Sequence, residues 1–281
     1  MVAAMAAFAV EDVLIKHVTR ALPIGQVLML FGAGGACLFA ALAWRSGSGL
    51  LPAQAASRVM WVRAGFELVG RLFYALAIVL TPLSSATALL QATPIVVVLG
   101  AMLFLGERVG WQRWCAIGAG LLGVLIILRP AVDDFSVLSL LAVVATLGFA
   151  GRDLASRVAP AALSTWLLGL YGFLMVVLAG ALVAWWQGQP LLWPSGPQAL
   201  TLLATVLVGC LAYAALMRAM RTGSVAVVTP FRYTRLLFGL SLGVWVFGER
   251  VDGPMLLGCA VIIGAGLFIP RRTGPHPPRA T

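Results

Sequence analysis

Two short stretches of this chain are nearly identical. Leu105-Gly106-Glu107-Arg108-Val109 recurs as Phe247-Gly248-Glu249-Arg250-Val251, 142 residues later. Each stretch follows an apolar run with an early proline, Pro94 or Pro230, and each precedes a second apolar run that is rich in glycine. Four consecutive identical residues at equivalent places indicate an internal duplication of the chain.

The duplication divides the chain into three parts. The first copy covers 1–130 and the second 131–270, because each Gly-rich run closes on a proline, Pro130 or Pro270. The remaining tail, 271–281, is basic and Pro-rich, a composition typical of disorder. We therefore predict two repeated units followed by a short basic tail.

The composition indicates a membrane protein. Of 281 residues, 62% are hydrophobic and 10% are charged, and the mean hydropathy is +1.03. Soluble domains carry about 25% charged residues, and a soluble fold of this length could not cover so much apolar surface. The net charge of +10 is spread between apolar runs and forms no basic patch suited to nucleic acid. Soluble enzymes and nucleic-acid-binding proteins are therefore excluded.

Ten apolar runs are long enough to cross a bilayer, which takes about 20 residues. A unit of five spans is odd-numbered, so the second copy must enter the membrane in the opposite direction. We predict an all-α polytopic membrane protein whose ten transmembrane helices form two inverted five-helix repeats, as in many secondary transporters. With Gly, Pro and charged residues as boundaries, the predicted spans are 2–19, 25–44, 60–80, 84–104, 111–128, 135–156, 161–186, 198–219, 224–247 and 253–270.

Lys and Arg are distributed unequally between alternate loops. One set of loops holds eleven of them and the other set holds four. Cytoplasmic loops are enriched in these residues, so the richer set, which includes Arg152, is predicted to be cytoplasmic, as are both termini. Glu11 and Asp12 interrupt the first apolar run, unlike a cleaved signal peptide, and we interpret that run as a retained span.

Together these motifs resemble the EamA family of the drug/metabolite transporter superfamily over essentially the whole chain. The first copy carries a span with Pro94, then Leu-Gly-Glu-Arg, then Gln112-Arg113-Trp114. The second carries Pro230-Phe231-Arg232-Tyr233-Thr234-Arg235, then Phe-Gly-Glu-Arg. A Gly-rich helix completes each copy. The combination is typical of the family and not of one substrate.

The resemblance implies a ten-helix metabolite carrier in the inner membrane of a bacterial cell. Some members of the family export amino acids, and others take up S-adenosylmethionine or riboflavin. Asp12 with Lys16 in the first span resembles the uptake branch. The leading prediction is a secondary transporter that moves a small polar metabolite, such as an amino acid, by alternating access. Uptake of S-adenosylmethionine or riboflavin is the alternative.

Charged side chains inside the predicted spans indicate function, because burying one costs about 2.5–3.5 kcal/mol on insertion scales. Arg63, Glu67 and Arg71 in the third span are spaced four apart and share one helix face. Arg63 lies near the cytoplasmic end, where its side chain can reach water. Arg71 lies about 16 Å along the helix axis, near mid-membrane. It either pairs with Glu67 or binds substrate.

The ninth span places Arg232 and Arg235 one turn apart at mid-depth, with Tyr233 between them, after Pro230. A proline inside a span leaves backbone carbonyls that only protein or a water-filled cavity can satisfy, and Pro94 has the same effect in the fourth span. One arginine is predicted to neutralise an acid of the first half. The other is predicted to bind a substrate carboxylate, which suits a guanidinium. Two internal ion pairs are the alternative.

Two acids of the first span are predicted to lie near mid-depth. Asp12 and Lys16 are four residues apart and are expected to pair. Glu11 projects about 100° away from Asp12 and needs another partner, an Arg of the ninth span. A buried carboxylate that exchanges an Arg partner for a proton can couple transport to a proton gradient. This hypothesis applies to Glu11 or Glu67, with a structural ion pair as the alternative.

Other polar residues give weaker signals. Thr87, Gln91 and Thr93 in the fourth span either hydrogen-bond a ligand or join helices. Glu107 and Glu249 are interpreted as loop residues that cap helices or pair with a nearby Arg. The predicted substrate site consists of Arg71, Gln91, Arg232, Tyr233 and Arg235.

Other classes of function have less support in the sequence. It contains no His-Glu-x-x-His, no Gly-x-Ser-x-Gly and no paired metal ligands, and its four cysteines lie singly in apolar runs. We therefore predict no enzyme, no metal site and no cofactor. Without a Gly-x-x-x-x-Gly-Lys motif, the energy must come from ion or substrate gradients. A non-transporting accessory subunit of a membrane complex stays as an alternative, and the protein is predicted to be a monomer or a homodimer.

Overall fold

The computed structural model of the chain describes residues 1–47, 49–105, 111–128, 137–160, 162–222 and 229–268. These residues form helices and connecting turns and contain no strand. Short 3₁₀ helices cover Ala53–Ala56 and Thr229–Tyr233. The α-helices are α1 (Val2–Val18), α2 (Ile24–Arg45), α3 (Arg58–Leu80), α4 (Leu83–Leu90), α5 (Thr93–Leu105), α6 (Trp111–Leu128), α7 (Ser139–Arg157), α8 (Thr165–Gln187), α9 (Gly196–Thr222), α10 (Thr234–Phe247) and α11 (Gly253–Phe268).

The described helices occupy the positions of the ten predicted spans. The fourth span consists of α4 and α5, and the ninth consists of the 3₁₀ turn Thr229–Tyr233 followed by α10. Shorter apolar stretches, Gly118–Ile127 and Gly253–Ala265, lie in α6 and α11. The described part of the chain is thus all-helical, and the chain has the composition of a multi-pass membrane protein. Among the described residues, five stretches are long and apolar enough to cross a membrane: Ile24–Arg45, Leu83–Phe104, Ser139–Ser156, Thr165–Gln187 and Gly196–Ala219.

Exposed tryptophans mark the ends of the helices. Trp44 lies in the last turn of α2 and Trp61 in the first turn of α3, and these two residues are 78% and 71% exposed. Trp185 and Trp186 lie in the last turn of α8, and Trp245 in the last turn of α10. Tryptophan prefers the boundary between lipid and water. This placement supports a bilayer around the helices.

The fourth span is broken next to Pro94. α4 ends at Leu90 and α5 begins at Thr93, because Pro94 has no N–H with which to continue the helical ladder. The hydroxyl of Thr93 donates to the freed Leu90 carbonyl at 2.6 Å. The side-chain amide of Gln91 donates to the Thr87 carbonyl at 3.0 Å. The break is therefore satisfied by local side chains, and it lies in the middle of the bundle.

The main helix pairs join the first half of the chain to the second. α2 packs on α8, α3 on α7, α1 on α9 and α6 on α11. In the α2–α8 pair, Gly25 lies against Ala184 and Gly32 against Val177, so the two helices run antiparallel. The core is therefore built between the halves rather than within each of them.

Glycines allow these helices to approach closely. A Cβ at Gly148 of α7 would lie 2.5 Å from the backbone nitrogen of Gly70 in α3. In the α6–α11 pair, a Cβ at Gly123 would lie 2.9 Å from the carbonyl oxygen of Gly258. These neighbouring atoms belong to the backbone, so they cannot rotate away as a side chain could. Only glycine fits at these crossings, as is common where membrane helices pack.

Candidate functional site

A central cleft is lined by charged side chains of the third, sixth and ninth spans. The cleft is partly open, and the empty space in and around it, with open solvent included, amounts to about 560 Å³. The break between α4 and α5 and the turn before α10 both border it. Its polar lining consists of Arg71, Tyr74, Gln91, Thr93, Arg152, Arg232 and Arg235.

Glu67 of α3 lies at the centre of an ion-pair cluster behind the cleft wall. Its carboxylate accepts from Arg152 at 3.1 Å and from Arg71 at 3.4 Å, both through Oε1. Arg63 reaches Oε2 at 3.4 Å. The Glu67–Arg71 pair suggested by their spacing is present, but as one part of a cluster of three arginines around a fully buried carboxylate.

Arg63 does not reach water, contrary to our expectation. Its side chain is 1% exposed. It donates to the Tyr213 hydroxyl at 2.6 Å and to the Ser156 hydroxyl at 3.0 Å. Tyr213 in turn donates to the Leu168 carbonyl. The reason is tertiary, because α7, α8 and α9 cover the face of α3 that carries Arg63.

Glu11 has a different partner from the one expected. Its Oε1 accepts from Arg71 of the third span at 3.2 Å, and not from an arginine of the ninth span. Its Oε2 is buried, with no hydrogen-bond partner among the described residues. That oxygen faces α9, where a Cβ at Gly209 would lie 3.2 Å away. Glu11 thus has one satisfied and one unsatisfied oxygen.

Asp12 and Lys16 do not pair with each other, so that expectation was wrong. Asp12 accepts from Arg235 at 2.7 Å and from the Tyr74 hydroxyl at 2.8 Å. Lys16 instead binds Glu249 at 2.9 Å. One arginine of the ninth span, Arg235, therefore neutralises an acid of the first half, as the sequence suggested.

Glu249 ties three parts of the bundle together at one end. Its carboxylate accepts from the backbone N–H groups of Leu83 and Ser84 at 2.6 and 2.8 Å, and from the Ser84 hydroxyl at 2.7 Å, so it caps α4. Lys16, its ion-pair partner, also donates to the Thr81 carbonyl. Burial raises the pKa of Glu249, but the hydrogen bonds from Ser84, Lys16 and Leu83 outweigh it and hold that pKa below its ordinary value. Glu107, its counterpart in the first repeat, lies outside the described residues.

Asp153 and Arg152 of α7 are site residues that our sequence analysis missed. Arg152 was assigned to a cytoplasmic loop, but it is 5% exposed and pairs with Asp153 at 2.9 Å. Asp153 also accepts from Arg232 at 2.8 Å. A signal was available, because Phe8-Ala9-x-x-Asp12 in the first copy recurs as Phe149-Ala150-x-x-Asp153 in the second.

The two repeated phenylalanines line the cleft under the arginines. The Arg235 guanidinium lies 5.0 Å from the ring centre of Phe8 and 5.2 Å from that of Tyr74. Arg152 lies 4.8 Å from the ring centre of Phe149. Such cation–π contacts stabilise a desolvated guanidinium and fix its orientation. The cleft therefore offers both cationic groups and flat aromatic faces.

The remaining predicted residues are divided between the cleft and the core. Gln91 and Thr93 line the cleft beside the helix break. Tyr233 lies away from it, packed with Ile95 and Ile262. Its hydroxyl has no partner among the described residues. The side chain of Pro230 lies outside the described part of the structure. No group of three or more His, Cys, Asp or Glu that could hold a metal occurs among the described residues.

Comparison with known proteins identifies the family. The model of the EamA-like transporter family matches residues 1–129 and again 137–270. The chain therefore belongs to the EamA-like transporter family, as its motifs suggested. The two matches together cover nearly the whole chain.

Several curated relatives are transporters. The riboflavin transporter of Rhizobium johnstonii is 35% identical over 68% of this chain and 62% of its own length. The S-adenosylmethionine uptake transporter of Rickettsia felis is 28% identical over 68% of this chain and 64% of its own. The chain thus spans less than two thirds of these two relatives. The pseudopaline exporter CntI of Pseudomonas aeruginosa is 27% identical over 95% of this chain and 92% of its own. These names agree with the prediction that the chain is not an enzyme.

The fold also resembles a solved structure. A crystal structure of a protein matches this one with a TM-score of 0.61 and 19% sequence identity, over 95% of this chain and 94% of the other. At this identity the likeness shows the fold alone. It supports the arrangement of helices over nearly the full length.

Proposed function

We propose that this protein is a secondary transporter that moves a small polar metabolite across the membrane by alternating access. The observation that carries the proposal is the buried cluster of arginines and carboxylates around a cleft between the two halves. Buried charges are costly in a bilayer and are retained on substrate and ion pathways. Broken helices at mid-membrane are typical of carrier binding sites.

We propose that the two halves, 1–130 and 131–270, are inverted five-helix repeats. The repeat relates the second span to the seventh and the fifth to the tenth. Inversion requires these equivalent helices to run antiparallel, as α2 and α8 do. It also requires each contact to have a counterpart. The packing of α3 on α7 corresponds to that of α9 on α1, and that of α1 on α10 corresponds to that of α7 on α4 and α5. This pattern supports the inverted repeat.

Four of the predicted residues are proposed to contact the substrate. Arg71, Gln91, Arg232 and Arg235 line the cleft together. Tyr233 faces the core and is not part of this proposal. An arginine-rich lining favours zwitterionic or anionic compounds, with an amino acid or a related compound as the leading candidate.

A planar ring compound is the second candidate. Phe8, Tyr74 and Phe149 supply aromatic faces on the cleft wall, against which a flat heterocycle can stack. The names of the relatives, which include transporters of riboflavin and of S-adenosylmethionine, favour this class of substrate.

Of the carboxylates considered for proton coupling, we propose Glu11. Glu67 is in contact with three arginines and has both oxygens occupied. Glu11 has one arginine and a buried, unpartnered Oε2. A proton on that oxygen neutralises the Glu11 carboxylate and weakens its hold on Arg71, which lines the cleft. Asp12 and Lys16 are proposed as ion-pair partners of Arg235 and Glu249 only.

We further propose that both termini lie in the cytoplasm of a bacterial cell and that the protein works in its inner membrane. Burial of Arg152 removes one residue from the cytoplasmic set, but the excess of Lys and Arg on that side persists. The glycines of α6 and α11 pack within one molecule, as the contact of Gly123 with Gly258 indicates. The protein is proposed to be a monomer or a homodimer.

The test is uptake by proteoliposomes of a pooled, labelled metabolite set that contains amino acids, S-adenosylmethionine and riboflavin. Saturable uptake of one class above empty vesicles is expected. An inward proton gradient is expected to change the rate for wild type and not for Glu11→Gln, whereas Glu67→Asp keeps the response. No uptake by folded protein would favour the accessory-subunit alternative or a substrate outside the set.

A further inference from the structure

The ion pairs around the cleft are not balanced in charge. Glu67 is in contact with Arg63, Arg71 and Arg152. Arg71 also binds Glu11. Arg152 also binds Asp153, which in turn binds Arg232. This network holds four arginines and three carboxylates, and Arg235 with Asp12 forms a separate neutral pair. With all carboxylates ionised, one positive charge is in excess among the described residues.

In the described part of the structure, no other carboxylate joins this network. The chain has nine acidic residues, and the five outside the cleft lie in predicted loops. Of the two that the structure describes, Glu249 binds Lys16 and Asp252 accepts from the backbone N–H of Met255. An uncompensated charge at this depth is costly. The cleft therefore favours an occupant that carries one negative charge.

Arg232 is the arginine best placed to bind that occupant. Its side chain is 15% exposed, close to Arg235 at 13% and Arg71 at 12%, whereas Arg63 and Arg152 are at most 6% exposed. Arg71 is in contact with two carboxylates, Glu11 and Glu67. Arg235 is fixed between two aromatic rings and by Asp12 and Tyr74. The one carboxylate within ion-pair distance of Arg232 in the described structure is Asp153.

Asp153 can release Arg232 at little electrostatic cost. Its Oδ1 accepts from both Nε and Nη2 of Arg152, at 3.0 and 2.9 Å, whereas Arg232 binds the other oxygen, Oδ2. If Arg232 moves away, Asp153 keeps a charged partner with two donors. If Arg235 moved away from Asp12, that carboxylate would have no ion pair, because Arg235 is its ion-pair partner in the described structure.

We propose that Arg232 binds a monoanionic group of the substrate, of the carboxylate type, and that Asp153 is the internal acid which this group displaces. The proposal rests on the proposed transport function and adds to it the chemical class of the substrate and the residue that selects it. In the empty cleft Asp153 forms an ion pair with Arg232. In the loaded cleft the substrate anion takes that place, and the surplus charge is neutralised.

The test measures the thermal stability of the purified full-length protein in detergent, titrated with benzoate and, as its neutral isostere, benzamide. Benzoate is expected to raise Tm saturably and benzamide is not. Asp153→Asn frees Arg232, so it is expected to lower the half-saturating benzoate concentration about tenfold, which corresponds to about 1.4 kcal/mol. Arg232→Gln is expected to abolish the difference between the two probes, and Arg232→Lys to retain a weaker one.

Glu249→Gln is the control, since it also removes an ion-paired carboxylate but one that lies outside the cleft and does not contact a cleft arginine. It is expected to leave the half-saturating benzoate concentration unchanged. Equal responses to benzoate and benzamide in wild type would overturn the proposal. So would a benzoate effect that survives in Arg232→Gln, or a gain in Glu249→Gln equal to that in Asp153→Asn. Because binding is measured without transport, failed metabolite uptake together with Arg232-dependent benzoate binding would refute the transport function and leave this site standing.

Discussion

Glu67 holds three arginines in place with a single carboxylate. Arg63 and Arg152 are nearly as buried as Glu67 itself, so water cannot compensate them if that charge is removed. Breaking a buried ion pair by removing one partner typically costs about 3–5 kcal/mol. We expect Glu67→Gln to lose stability in that range, measured as unfolding of the purified protein in detergent.

A control for the Glu67 variant lies at the exposed end of α2. Arg45 is exposed, so Arg45→Gln is expected to change the unfolding free energy by less than about 0.5 kcal/mol. Equal losses in both variants would mean that the cluster around Glu67 does not stabilise the fold.

Glu249 predicts a pH dependence of stability. Its pKa is lowered in the folded protein, so its contribution is fully present above its ordinary pKa of 4.5 and is lost as pH falls through the lower folded value. The stability difference between wild type and Glu249→Gln is therefore expected to be constant near neutral pH and to shrink below about pH 4.5. Thermal unfolding from pH 7 to pH 3.5 measures it. A difference that grows on acidification would contradict the capping role.

Spacing predicted which charged residues share a helix face, but not which partners they choose. Arg63, Glu67 and Arg71 were recognised as one row because their separation of four is a local property of a helix. The bond from Arg235 to Asp12 joins residues 223 apart in sequence, and no local pattern encodes it. Arg152 was missed because it was counted with the Lys and Arg of the cytoplasmic loops, although it lies inside the predicted span 135–156.

At the scale of elements, the contact of α3 with α7 depends on glycine. A Cβ at Gly148 would meet the backbone of Gly70, whereas a Cβ at Gly65 of α3 would meet nothing within 4 Å. Gly148→Ala is expected to cost about 1–3 kcal/mol through overpacking. Gly65→Ala is expected to be neutral or stabilising, because alanine favours the helix.

Unfolding of the two alanine variants side by side tests this contact. Because both replace glycine by alanine in a helix, the comparison removes the effect of helix propensity. Similar stabilities would show that α3 and α7 can separate without cost.

Hydrophobic runs predicted the helices well where they are regular. The predicted span 25–44 is α2, Ile24–Arg45. The fourth span was predicted as one segment because its apolar character continues through the break. Only Pro94 indicated that the helical hydrogen bonds are interrupted there. The position of the break, at Gln91 and Ala92, follows from which side chains satisfy the freed carbonyls, as Thr93 does for Leu90.

At the scale of the whole molecule, the proposed orientation can be tested by labelling. Trp193, in the connection between α8 and α9, is 98% exposed, and Ser46 follows the end of α2. In a variant without the four native cysteines, a membrane-impermeant maleimide is expected to label Trp193→Cys in intact spheroplasts. Ser46→Cys is expected to react only after permeabilisation. The reverse pattern would place the termini outside the cell.

The packing of each half against the other has a consequence for how the protein assembles. The extensive helix pairs α2–α8, α3–α7, α1–α9 and α6–α11 all cross between the copies. Neither copy can therefore bury the interior faces of its helices alone, and each covers those faces of the other. Two separate polypeptides, 1–130 and 131–281, produced in the same cell, should find each other in the bilayer and purify as one particle. Either polypeptide produced alone should be degraded.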